Sequence, residues 1–248
     1  MKASKINGVL ALAAVLAAWE IVARAGLANP LLFPAMSRIL GSFAALLASG
    51  EIPAQVARSM ERAAAGYFLA AAVCIPLGVA MGISGRVYRA LEVVVETLRP
   101  IPPPVVIPVA MLFLGIGDLM KIFVIFFSCA WPILLNTIDG VRNIDRLLVD
   151  TARTFGLARG KTILKVVLPA AAPQIMTGLR ISLSITLILV VISEMIGSTD
   201  GIGYFILNAQ RRLKVDQMYA GMIALALLGY FLNQVFLFVS KRLLHGRS

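Results

Sequence analysis

Residues 156–162, Gly-Leu-Ala-Arg-Gly-Lys-Thr, carry the residue types that cradle a nucleotide phosphate: glycines that let backbone N–H groups turn inward, and a lysine to meet the charge. The spacing does not fit. A phosphate loop needs four residues between its glycines and this run has three, with a helical pattern around it and no strand ahead of it. Nucleotide binding by this chain is therefore not expected. Other side-chain chemistry has as little to build on. The one histidine, His245, lies at the C-terminal end, and Cys74 and Cys129 sit inside apolar runs, where they read as packing residues rather than a disulfide or metal pair. No set of His, Cys and carboxylates has ligand spacing, so neither a metal nor a bound cofactor is expected, and a membrane enzyme is disfavoured on the same ground.

What remains are polar residues in apolar surroundings. Arg180, Ser182, Ser184, Thr186, Ser193 and Glu194 punctuate one long apolar run. Ionisable groups in such a run are costly to keep, which makes them candidates for function. Arg180 and Ser184 are expected on a translocation path where Arg180 meets an anion, and Glu194 at its outer gate or in the cavity between two copies. The opposing readings are that Arg180 snorkels to the surface, that Glu194 caps a neighbouring helix, and that the hydroxyls join helices. A second irregular stretch, Arg99–Pro108, holds five prolines. Each removes a backbone donor, and broken backbone at membrane depth survives only against protein or water, so Pro102, Pro103 and Pro104 are placed beside the same path or in a purely structural kink.

The elements that position these residues follow from composition. The 248 residues are 60% hydrophobic and 14% charged, with mean hydropathy +0.91, far from the soluble norm of roughly 45–50% apolar and 25% charged. The chain is expected to be an all-α integral membrane protein of about six spans of about 20 residues. They are placed near 8–25, 57–83, 100–116, 119–138, 171–196 and 217–240. Lys2, Lys5, the apolar core Val9–Ala18 and Ala-Arg-Ala at 23–25 imitate a signal peptide, but Trp19, Glu20 and Ile21 interrupt the pattern, and a retained first helix is expected. The segment 30–56 carries Met36, Ile39, Leu40, Phe43, Leu46 and Leu47 at helical spacing. It reads as an amphipathic helix on the outer face, or as one packed over other spans. Residues 1–56 are thus set apart from a core of 57–244.

The formal charge of +11 is explained by orientation rather than nucleic acid, since no aromatic-basic interleaving accompanies it. With six spans and an inner N-terminus, Lys2, Lys5, Arg86, Arg89, Arg99, the cluster from Arg142 to Lys165, Arg180, Lys241, Arg242 and Arg247 fall inside, leaving Arg24, Arg38, Arg58, Arg62, Lys121, Arg211, Arg212 and Lys214 outside. The excess favours both termini in the cytoplasm, and places the loop 139–170 there too. In that loop Leu148, Ala152 and Phe155 share a helix side, Asp145 and Asp150 lie near its start, and Gly156 fits the left-handed position that ends a helix. A second, basic helix is expected from about Leu157 to Val167, with Pro169 beginning the return to the membrane. Such an exposed knob suits a groove on another protein.

This loop resembles the "EAA" loop, E-A-A-x3-G-x9-I-x-L-P, of the permease subunits of binding-protein-dependent ABC importers. Asp150, Thr151, Ala152, Gly156, Val166, Leu168 and Pro169 stand at the motif's spacings, with Asp for Glu, Val for Ile and Thr for the first Ala. Arg99–Phe126 and Ser193–Ile206 are similar to the nitrate, sulfonate, taurine and bicarbonate branch of that family. The resemblance, from about residue 30 onward, implies a type I importer permease fold and an inner-membrane location. It implies two permease copies, two cytoplasmic ATPase subunits that hold ATP and magnesium, and an outer substrate-binding protein. The cargo it suggests is a small organic or inorganic anion, with a vitamin precursor or other small compound as the alternative. Asp150, Thr151, Ala152, Phe155, Gly156 and Leu157, with Leu168 and Pro169, would form the ATPase-coupling element. A self-sufficient secondary transporter would show inverted repeats and paired broken helices, whereas this chain has one broken segment and no repeat.

Overall fold

The structure, a computed structural model, describes the backbone of residues 2–244 and the side chains of residues 10, 11 and 13–242; the side chains of Lys2, Lys5, His245 and Arg247 lie outside it. Among the described residues every regular element is a helix. They are α1 (Lys2–Arg24), α2 (Met36–Ala48), α3 (Glu51–Ile83), α4 (Gly85–Leu98), α5 (Pro103–Leu114), α6 (Asp118–Arg142), α7 (Arg146–Thr154), α8 (Arg159–Thr162), α9 (Leu168–Gly197), α10 (Ile202–Arg211) and α11 (Val215–Leu244). Residues up to 58 together with 199–228 form one compact unit, and 59–198 with 229 onward form another.

The second unit holds the core. Glycines let α3 and α6 approach closely: a Cβ added to Gly66, Gly78 or Gly82 would stand 2.6–2.7 Å from Ile125, Thr137 or Val141. These pairs advance together, so α3 and α6 run parallel. Helices α6 and α9 run antiparallel, with Gly178 against Pro132 and Asn136, Gly140 against Ala171 and Gln174, and Gly197 near Met120. Small residues at each contact allow the close backbone approach on which helix association in lipid depends. Between them lie Ile107, Met120, Val124, Ile125, Cys129 and Ile133, all fully buried, so Cys129 is a packing residue.

Helices α3, α6, the rod Arg159–Gly197 and α11 are each long and apolar enough to span a bilayer. The span expected at 100–116 needs correction. Its helix has 12 residues, about 18 Å, short of the roughly 30 Å hydrocarbon layer. It crosses only jointly with α4, from which it is bent by 98°. Prolines set the break: Pro103 and Pro104 occupy the first turn of α5, where a missing N–H costs nothing, and residues 99–102 stay outside both helices. Because α3 and α6 are parallel, residues 84–117 must return the chain to the side from which α3 began, so the bent pair is a broken span rather than a loop back to the same face.

In the first unit Trp19 ties α1 to the following segment. Its indole Nε1–H donates to the Pro34 carbonyl at 3.0 Å, its ring stacks on Phe33 and meets Tyr219 edge-on, and Glu20 accepts from the Ser37 backbone N–H at 3.0 Å. Helix α2 buries Ile39 and Leu46 but leaves Leu40 and Leu47 exposed, and its Ser42 hydroxyl donates to Asp216. Of the two readings of residues 30–56, packing over other helices is the one visible in the chain itself.

Candidate functional site

The loop after α6 folds as local chemistry dictates. The Asp145 carboxylate caps α7 by accepting the Leu147 N–H at 2.9 Å. At the other end the Leu157 N–H donates to the Ala152 carbonyl and the Gly156 N–H to that of Arg153, at 3.0 and 2.9 Å. This is the bond pair of a Schellman ending, and Gly156 sits at φ +70° where it is required. Asp150 differs from the reading that placed it near the helix start: it lies mid-helix and pairs with Arg153 at 3.3 Å.

The apolar side of α7 also differs. Ala152 is turned inward and buried, whereas Leu148 and Phe155, expected beside it, are exposed, Phe155 by 78%. Leu147 joins them at 68%, a residue the spacing argument missed although the adjacent Leu147-Leu148 pair signalled it. At 100° per residue, Leu147, Leu148, Thr151 and Phe155 form one outward face, and Arg146, Val149, Asp150 and Arg153 the opposite one. Asp150, Thr151, Ala152, Phe155, Gly156 and Leu157 thus share one knob.

Leu168 and Pro169 do not join it. The basic helix expected to end near Val167 instead runs into α9, giving one rod from Arg159 to Gly197. A π-helical turn, Ile163–Val167, makes this continuity feasible: the Leu168 N–H donates back to the Ile163 carbonyl, widening the helix just ahead of Pro169, which has no N–H to give. Leu168 packs at the rod's base against the cluster of Val79, Val141, Val167, Ala171 and Ile175, about 16 Å along the axis from Leu157.

The polar residues of α9 sort into two faces. Ser182 donates to the Cys129 carbonyl at 3.0 Å and Thr186 to the Ser182 carbonyl at 2.9 Å, both buried against α6. Thr177, Arg180 and Ser184 line the other face and are exposed. Arg180 stands twelve residues beyond Leu168, about 18 Å, level with the middle of α6 because neighbouring Gly178 touches Pro132 and Asn136. Among the described residues no ion pair or hydrogen bond engages its guanidinium. Pro102 and Pro104 are exposed and Pro103 half-buried at the start of α5, which packs on α9.

Glu194 is fully buried within its own chain. Its carboxylate accepts from the Ser59 hydroxyl and from Arg62 Nη1, each at 2.8 Å. Arg62 Nε also donates to Asp118 at 2.8 Å, and Lys121 lies 3.4 Å from Asp118 and 2.9 Å from the Ser198 hydroxyl. This network ties α3, α6 and α9 together at one end of the bundle. The sequence signal was a carboxylate in an apolar run, which demands a cation at the same depth; Arg62 and Lys121, both placed toward the outer side, were the candidates.

Among the described residues no three metal-binding side chains converge. The arrangement presents an exposed knob, a continuous rod and a polar stripe. Comparisons with known proteins identify the family. The family model for the binding-protein-dependent transport system inner membrane component matches residues 74–246. The putative aliphatic sulfonates transport permease protein of Bacillus subtilis is 31% identical over 98% of this chain and 88% of that protein. The nitrate import permease protein of Leptolyngbya laminosa is 36% identical over 76% of this chain and 67% of its own length. A solved structure of the MetNI methionine ABC transporter in an inward facing conformation superposes with a TM-score of 0.62 at 21% identity, covering 77% of this chain and 93% of that one. On these matches the chain belongs to the binding-protein-dependent transport system inner membrane components, the permeases of ABC transporters.

Proposed function

We propose that this permease conducts a small anion, such as a sulfonate, taurine or nitrate, delivered by an outer substrate-binding protein, and that two separate cytoplasmic ATPase subunits hold the ATP and magnesium that drive import. Two copies of the chain enclose the path in the inner membrane, with both termini in the cytoplasm. The observation that carries the anion is Arg180. A cation within a span that is exposed in its own chain is costly to leave facing lipid. Its face, shared with Thr177 and Ser184, therefore looks onto water or a second copy, and the charge it offers there is positive. Relatives named for aliphatic sulfonates and for nitrate support the same class.

Coupling follows from the knob. Leu147, Leu148, Thr151 and Phe155 present an apolar face to an ATPase cleft, and the Gly156 turn passes displacement of α7 to the rod Arg159–Gly197. Arg180 and Ser184 ride on that rod, so closure of the ATPases reorients the stripe as a rigid element.

The test is uptake into proteoliposomes holding the permease, its ATPase and its binding protein, with taurine, an alkanesulfonate and nitrate as probes. Arg180→Gln should slow uptake of the accepted anion about tenfold to a hundredfold, the effect of losing one charged hydrogen-bonding partner, while Arg180→Lys retains part of it. Full-rate uptake by Arg180→Gln would overturn the path assignment.

A further inference from the structure

Behind the knob, on the side opposite its outward face, lies an open groove of about 820 Å³. It is built from the ends of α3 and α6, the inner face of α7, and the start of the α8–α9 rod. Its floor is apolar, with Ile83, Val141, Val149, Ile163 and Val167 among the lining residues. Four guanidinium-bearing side chains also line it: Arg142, Arg146, Arg153 and Arg159. The one carboxylate there, Asp150, is engaged by Arg153 at 3.3 Å. Arg142 is held in place over the Tyr88 ring, 3.5 Å from its centre.

We propose that this groove binds an anionic phospholipid, its phosphate among the arginines and the upper part of its acyl chains on the apolar floor. The volume is that of a small-molecule site, large enough for a headgroup and the first carbons of two chains. The groove opens where three spans end, and basic pockets between spans on the cytoplasmic side suit such lipids. The chain's own ends do not match the charge, since Lys2, Lys5, Lys241, Arg242 and Arg247 are basic. The outward face of α7 remains available to the ATPase, so lipid and ATPase occupy opposite sides of one helix. The lipid would then set the resting position of the knob. Only the choice of leaflet rests on the orientation proposed above; binding in micelles does not.

Native mass spectrometry of the purified full chain in detergent, with phosphatidylglycerol or phosphatidylcholine added, reads this out. Wild type should retain phosphatidylglycerol in preference to phosphatidylcholine. Arg146→Gln with Arg159→Gln should weaken that retention roughly thirtyfold, from two cations lost near a headgroup, and Arg146→Lys with Arg159→Lys should keep it, separating charge from fold. Phe155→Asp, placed on the outward face, should leave it unchanged even where ATPase capture fails. Equal retention of the two lipids, full retention by the glutamine variant, complete competition by inorganic phosphate, or displacement of the lipid by the ATPase would each overturn the proposal.

Discussion

Removing either partner of the buried Arg62–Glu194 pair should cost stability, and by unequal amounts. Glu194 has no solvent exposure, Ser59 is 1% exposed and Arg62 5%. Breaking a buried ion pair from one side typically costs about 3–5 kcal/mol, because the survivor is left as an uncompensated charge. With Glu194→Ala, Arg62 keeps Asp118, whose side chain is 63% exposed and still accepts at 2.8 Å, so the loss should lie near the lower end, about 3 kcal/mol. With Arg62→Ala a fully buried carboxylate keeps the Ser59 hydroxyl but loses its guanidinium, so the loss should approach about 5 kcal/mol. Replacing both, as Arg62→Met with Glu194→Leu, removes the stranded charge and should recover most of either loss. Unfolding of the purified chain titrated with dodecyl sulfate in mixed micelles, followed by tryptophan fluorescence, gives these differences. A smaller loss for Arg62→Ala than for Glu194→Ala, or a double variant no better than the singles, would refute the view that this network is a strut. Lost uptake at unchanged stability would instead return Glu194 to the path.

Two further outcomes follow from packing and exposure. Gly78→Leu places a side chain where even a Cβ would lie 2.7 Å from Thr137; it should cost about 1–3 kcal/mol in the same titration, whereas Gly41→Leu, with nothing within 4 Å, should cost little, and equal behaviour would contradict the parallel α3–α6 contact. Phe155→Asp, at a position 78% exposed, should leave stability within about 0.5 kcal/mol yet abolish co-purification of the ATPase; undiminished capture would remove the outward face of α7 from the docking surface.

The sequence made some of this legible because the physics is local. An 18-residue apolar window, a proline cluster and a glycine at the end of an amphipathic turn each act over a few residues, so the four long spans, the break at Arg99–Pro102 and the turn at Gly156 could be read directly. What was not legible depends on partners far away. Ala152 and Leu148 have the same claim to a buried face on spacing alone; which one is covered is decided by the α8–α9 base folding back beneath α7. Arg62 and Glu194 are 132 positions apart, and only the antiparallel and parallel packing about α6 brings them to one depth. Pro169 looked like a helix boundary because the π turn that accommodates it leaves no residue-type signature.

That π turn bears on how a knob can move a stripe. A rod with uniform hydrogen bonding from Arg159 to Arg180, about 32 Å, would transmit displacement without a preferred hinge. Ile163–Val167 is a stretch where the bond pattern widens, and wide turns of this kind often mark functional positions. It lies between the Gly156 ending of α7 and the α6–α9 contact that begins at Gly140 and Ala171. Above that contact α9 is clamped against α6 by Gly178, Ser182 and Thr186; below it the rod carries exposed Lys161, Leu164 and Lys165. The π turn therefore lies ahead of that clamp. In the proposed cycle the ATPase swings the part below it, and the lipid groove, whose Ile163 and Val167 lining belongs to the same turn, is the place where that swing would be felt.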